Sequence, residues 1–200
     1  MKIFIDFDDT LIDRTRFMRD FYAMFDGVSS ESLKETYDRF RTHQAFDLKN
    51  FAAEVELMHG IPERDVIAKL TALRDRVHAY RFEESRPFLE QLKQRGHTIT
   101  LVTFAEDTTW QWGKIHASGL YDLLDDVHIT TRGKEEVLRE LTNGEPFCFI
   151  DDSGKEVEAV QKMYPHALCF LKVHDNGKAD GFTDSLTSFR SFHEIIDRIA

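Results

Sequence analysis

Five short, almost wholly apolar runs punctuate the chain, at residues 3–5, 99–102, 127–129, 147–150 and 167–171. Runs of that length, without strict alternation of apolar and polar positions, suit strands buried on both faces. Between the later runs the apolar positions recur at helical spacing, over 87–95, 107–118, 134–141 and 155–164. Strand and helix in alternation predict an α/β fold, a doubly wound parallel sheet with helices on both sides. Gly96 after the first of these helices and Pro165 after the last act as stop signals, since one tolerates a left-handed turn and the other cannot continue a helix.

The segment between the first two runs breaks this rhythm. From about residue 15 to 81 no strand pattern occurs, but four amphipathic stripes do. Phe17, Met18, Phe21, Met24 and Phe25 form the first, and Leu33, Tyr37 and Phe40 the second. Leu48, Phe51, Ala52, Val55 and Met58 form the third. Val66, Ile67, Leu70, Leu73, Val77 and Tyr80 form the fourth, begun by Pro62 near its first turn. These stripes predict a helical bundle at 14–82, inserted after the first strand of a sheet domain made of 1–13 and 83–200.

Charge divides along the same line. Residues 14–82 hold 12 basic and 11 acidic residues, whereas the rest of the chain holds 14 and 25. The net charge of −10 argues against a nucleic-acid polymer as partner, because backbone binding calls for a basic surface. A small anionic substrate stays compatible, since a bound metal can reverse the local field. No apolar stretch is long enough to span a bilayer, and Met1–Ile5 runs into Asp6 without a signal-like segment, so no membrane association is expected. Cys148 and Cys169 both lie in apolar runs, which argues against a disulfide framework or zinc site and points to a reducing cytoplasm.

In an open parallel sheet the carboxyl ends of the strands share one edge, where ligands bind. The first run ends in Asp6-Phe7-Asp8-Asp9-Thr10, the second in Thr103 and the fourth in Asp151-Asp152. Asp6, Asp8, Asp151 and Asp152 gathered there would repel one another strongly, and a divalent metal would relieve that repulsion. Oxygen donors without His or Cys favour magnesium over zinc. Asp9 is expected to hold the turn rather than join the chemistry.

Asp6-Phe7-Asp8-Asp9-Thr10-Leu11 resembles the first motif of the haloacid dehalogenase superfamily, whose members are mostly phosphatases. Thr103 matches the second motif, Lys134 the third and Asp151-Asp152 the acidic fourth, in the family's order. The resemblance implies a Rossmann-like core with a helical (C1-type) cap. It further implies a magnesium-dependent hydrolase acting on a small phosphorylated metabolite. In that scheme Asp6 attacks phosphorus and Asp8 serves as general acid and base. Thr103 and Lys134 hold the phosphoryl group, with Arg132 and Lys155 as competing cations for the lysine's place. Asp6, Asp8, Asp151 and Asp152 make the metal site. Phe104 stands where many relatives carry a small or amide residue. Arg14, Arg16, Arg41 and His43 of the insert are expected to be solvated helix residues more often than substrate contacts. A receiver domain of a signalling relay is the alternative from another class; a dehalogenase or phosphomutase would use the same fold. A nucleotide, a sugar phosphate and another small ester all remain open as substrates.

Overall fold

A computed structural model of the chain describes residues 1–174 and 185–199. In chain order the elements are β1 (Lys2–Ile5), α1 (Arg14–Tyr22), α2 (Ser30–His43), α3 (Leu48–His59), α4 (Glu63–Arg74), α5 (Ser85–Gln94) and β2 (Thr98–Phe104). Then follow α6 (Thr108–Ala117), β3 (Asp126–Thr130), α7 (Lys134–Leu141), β4 (Phe147–Asp151), α8 (Gly154–Met163), β5 (Leu168–Lys172) and β6 (Ser188–Phe189). Two compact units result: residues 1–12, 82–104 and 120–200 form one, and residues 13–81 and 105–119 the other.

The first unit is the sheet. Its strands lie in the order β3-β2-β1-β4-β5-β6, and every neighbouring pair is parallel. The chain winds outward from β1 in one direction through β2 and β3, then returns and winds in the other through β4 to β6. The reversal falls between β1 and β4, the place where open α/β sheets leave a crevice at their carboxyl edge. β6 has only two residues, too few for its apolar pattern to stand out in the sequence.

Strand side chains alternate between faces. Phe4, Val102, Phe147, Phe149, Cys169 and Leu171 pack on one face with Val137 and Leu138 of α7 and Val157 and Val160 of α8. The intervening residues Ile3, Ile5, Ile99, Leu101, Cys148, Ile150 and Phe170 are buried toward the other face. That side carries α5 and the short 3₁₀ turns near the carboxyl terminus, where Phe88 stacks on Phe192 with ring centroids 4.2 Å apart. The doubly wound parallel sheet read from the apolar runs is thus present.

The second unit is helical. α1, α2 and α3 are each capped by the residue before them, as Asp13, Ser29 and Asp47 accept from the backbone N–H of Arg16, Ser32 and Asn50. Gly60 ends α3 in the left-handed region at φ 69°, which a side chain would resist. Fully buried Phe51 sits amid Phe21, Tyr37, Phe40 and Phe46. Most of the four apolar stripes are buried in this way; Met58, in the last turn of α3, is exposed. α6 follows β2 in sequence yet groups with this unit. The Arg74 side chain of α4 lies over the Trp110 ring and against Gly113, where a Cβ would meet it at 2.6 Å. Among the described residues no helix is long and apolar enough to cross a membrane.

Candidate active site

The register of the sheet decides which acids meet. Ile5 of β1 pairs with Ile150 of β4, and Asp6 N–H continues the ladder to the Ile150 carbonyl at 2.9 Å. Asp6 is therefore level with Asp151. By the two-residue alternation both side chains project toward the face covered by α7 and α8. Asp6 and Asp151 are buried and Asp152 half-buried, and one carboxylate oxygen from each lies within 4.8 Å of the others.

Lys134 opens α7 on that same face. Its Nζ donates to Asp6 Oδ1 at 2.5 Å and to Asp151 Oδ2 at 2.7 Å, with both ends of each pair almost wholly out of water. The helix start is itself held, since Lys134 N–H donates to Glu156 at 3.0 Å. Asp151 is fixed through its other oxygen, which accepts from Ser153 N–H at 2.9 Å. Arg132 pairs instead with Glu140 at 3.3 Å, and Lys155 is exposed.

Electrostatics follow from this crowding. Burial pushes the Asp6 carboxyl up to about 7; Lys134 pulls it down and Asp151 adds to the rise. Burial, then the charges of Asp6, Asp151 and Asp9, pushes Asp152 up to about 9 against the pull of Lys134. For Lys134 burial disfavours the charge, but Asp151 and Asp6 outweigh it and the ammonium is held more firmly than usual. Ionised together, the three acids would outweigh the one ammonium, and the raised values of Asp6 and Asp152 express that crowding. An all-oxygen donor set of this kind suits a hard divalent cation.

The other sequence-picked residues stand as follows. Asp8 lies in the turn after β1, half-buried, outside the group of three, and its charge contributes to the rise at Asp6. Asp9 adopts φ 57°, the left-handed region that glycine takes easily, and its N–H donates to the Ile12 carbonyl at 2.8 Å. Thr103 is buried next to the carboxyl end of β2, two positions past the Leu101 that pairs with Ile5, while Phe104 after it is 50% exposed. Arg41 of the insert pairs with Glu106, and His43 is exposed.

Sequence reasoning did not single out Thr10, whose buried hydroxyl donates to Asp152 Oδ1 over a long 3.4 Å, or Ser153 and Glu156, which hold Asp151 and the start of α7. The Ser153-x-x-Glu156 spacing at a helix start was the available signal. It also left out Lys172, which ends β5 fully buried.

A doubly wound sheet with buried acids at its switch point and an inserted helical module defines a class of hydrolase. The sequence model of the haloacid dehalogenase-like hydrolases matches residues 3–163, and the chain belongs to that family. No curated protein sequence matches the chain. Among solved structures, a protein described as a haloacid dehalogenase-like hydrolase from Burkholderia xenovorans superposes with a TM-score of 0.76 at 17% identity, covering 98% of this chain and 94% of its own. A dehalogenase solved with an intermediate complex gives 0.71 at 14%, covering 100% and 96%. The magnesium-bound HAD-hydrolase YfnB from Bacillus subtilis gives 0.64 at 13%, covering 99% and 97%. At these identities the likeness is one of fold.

Proposed function

We propose that the chain is a magnesium-dependent phosphohydrolase that cleaves a small phosphomonoester through an aspartyl-phosphate on Asp6. The observation that carries this reading is the buried contact of Lys134 with both Asp6 and Asp151, beside Asp152 and two residues from Asp8. Asp6, Asp8, Asp151 and Asp152 would hold the cation; when bound, it would draw charge from the phosphoryl oxygens and cancel the surplus of the acids.

Asp6 needs an ionised oxygen to attack, and the Lys134 ammonium favours that form against burial. Attack forms a bond from the Asp6 oxygen to phosphorus while the ester P–O bond breaks. Asp8 gives its proton to the departing alkoxide. Water then attacks the same phosphorus, Asp8 takes its proton, and Asp6 and inorganic phosphate are released. Lys134 and the Thr103 hydroxyl are suited to holding the non-bridging oxygens as charge develops. The helical segment 14–82 acts as the cap in this scheme, with the sheet domain formed by 1–13 and 83–200, and a cytoplasmic phosphorylated metabolite is the expected substrate. The magnesium in YfnB supports the choice of cation.

A dehalogenase would displace halide without a metal and would need no proton donor for its leaving group, so Asp8 and the Asp151-Asp152 pair favour phosphate chemistry. Hydrolysis of p-nitrophenyl phosphate should require magnesium, stop with chelator and vanish in Asp6→Asn. Halide release from a 2-haloacid in chelator would establish the dehalogenase instead. Stable self-phosphorylation without turnover would establish a receiver.

A further inference from the structure

The carboxyl edge of the sheet holds a second buried cation, on the face opposite Lys134. Lys172 ends β5 and shares its alternation with Phe170, so its side chain projects toward the α5 side. It is 2% exposed. Its Nζ donates to the Thr10 carbonyl at 3.0 Å and lies 3.7 Å from Glu84 Oε1. The ring centroids of Phe82 and Phe192 are 3.9 and 4.3 Å away. Glu84 is fixed in turn by the Ser191 hydroxyl at 2.5 Å and Phe192 N–H at 3.0 Å.

A buried ammonium is costly unless its surroundings answer it. A methionine or leucine would fill the space between two aromatic rings without that cost. What the charge adds is a directed hydrogen bond, and its acceptor belongs to the turn that follows β1. That turn is already tight: Leu11 and Ile12 both donate to the Phe7 carbonyl, at 2.9 and 3.1 Å, and Asp9 is left-handed. Thr10 is wholly buried within it, with its hydroxyl directed at Asp152. Glu84, Lys172, Thr10 and Asp152 thus form a continuous polar chain within the sheet unit.

We propose that Lys172 is a positioning residue: by gripping the Thr10 carbonyl it fixes the turn that carries Asp8 and sets the Thr10 hydroxyl against Asp152. The kinetic consequence rests on the phosphohydrolase reading above; the grip on the turn does not. Hydrogen exchange and kinetics on Lys172→Met and Lys172→Arg test it together. In Lys172→Met the amides of Asp9, Leu11 and Ile12 should exchange roughly tenfold faster while those of β1 and β4 keep their protection. With p-nitrophenyl phosphate and magnesium, kcat should fall roughly 10- to 100-fold with KM changed less than about twofold. Lys172→Arg, which keeps a charge that can lie against the two rings, should recover part of both effects. Unchanged turn exchange in a folded Lys172→Met overturns the proposal, as does unchanged kcat, or a uniform rise of exchange across the sheet. If the wild type hydrolyses no phosphomonoester, the phosphohydrolase reading fails by itself and turn exchange alone decides the role of Lys172. Should Lys172→Met not fold, Phe82→Leu removes one aromatic face and keeps the ammonium; it should show the same changes in weaker form, and no change there overturns the proposal.

Discussion

Three carboxylates around one ammonium make the stability of the metal-free protein depend on pH in a definite sense. Burial is the main cause that holds Asp6 at about 7 and Asp152 at about 9, against an ordinary 3.8 for each. Both values are raised, so above the ordinary carboxylate range the folded chain binds more protons than the unfolded chain. Stability is then fully present at low pH and is lost as pH rises, through 7 for Asp6 and toward 9 for Asp152. One pKa unit corresponds to about 1.4 kcal/mol, so the shift at Asp6 sets an upper figure of about 4 kcal/mol. The two acids share one repulsion, and their contributions do not add in full. For a chain of this length about 1 kcal/mol moves the midpoint by roughly 2–4 °C. Calorimetry in chelator should therefore show Tm falling by roughly 5–15 °C between about pH 5 and about pH 8. Saturating magnesium should remove most of the fall, because a ligand that binds only the folded state stabilises it. Asp152→Asn supplies the control, since it removes one of the crowded charges: its metal-free Tm should be flatter with pH and should respond little to magnesium. A wild-type Tm independent of pH, or an equal slope and an equal magnesium response in Asp152→Asn, would refute the electrostatic account.

Three further outcomes are expected. Asp6→Asn should lose at least roughly a thousandfold in kcat while melting no lower than the wild type in chelator, since it removes a raised acid along with the nucleophile; residual turnover near the wild type would remove Asp6 from the chemistry. Lys134→Met leaves Asp6, Asp151 and Asp152 without their ammonium and should cost about 3–5 kcal/mol in urea unfolding without metal, with part of the loss regained in magnesium. Phe51→Ala empties the aromatic centre of the helical unit and should cost about 3–5 kcal/mol there, read as lost helical circular dichroism at lower temperature.

The fold and the site were legible in the sequence to different degrees. Strands β1 to β5 stood out as short runs because burial on both faces leaves their centres almost wholly apolar, with Thr100 in β2 and His128 in β3 as the polar exceptions. The order of the strands could not be read, since it depends on which edges pair rather than on any residue. α6 read as an ordinary crossover helix, because the contact between Arg74 and Gly113 that groups it with the insert joins residues far apart in sequence. Asp6, Asp151 and Asp152 were legible as strand ends in a fixed pattern. Lys134 could not be separated from Arg132 and Lys155 by spacing; in the structure it is the one of the three that lies against Asp6 and Asp151. A lysine after an apolar run reads as a solvated strand end, so Lys172 gave no sign that two rings enclose it. Asp9 gave a sign only as a turn former, and its left-handed backbone agrees with that.

The helical insert leaves and rejoins the chain at two points that are stitched within each unit. Phe82 N–H and the Ser85 hydroxyl both donate to the Leu11 carbonyl, at 3.2 and 2.8 Å, and Asp13 N–H donates to the Tyr80 carbonyl at 2.7 Å. To the sheet, everything between Leu11 and Phe82 is a closed loop with anchored ends. Doubling the length of such a loop costs only about 0.6 kcal/mol in closure entropy. A lineage could therefore lengthen, shorten or reshape that loop, provided that α6 is repacked with it, and leave Asp6 and Asp151 in register. On the phosphohydrolase reading proposed above, recognition by the insert and chemistry at the sheet edge would be free to diversify at separate speeds.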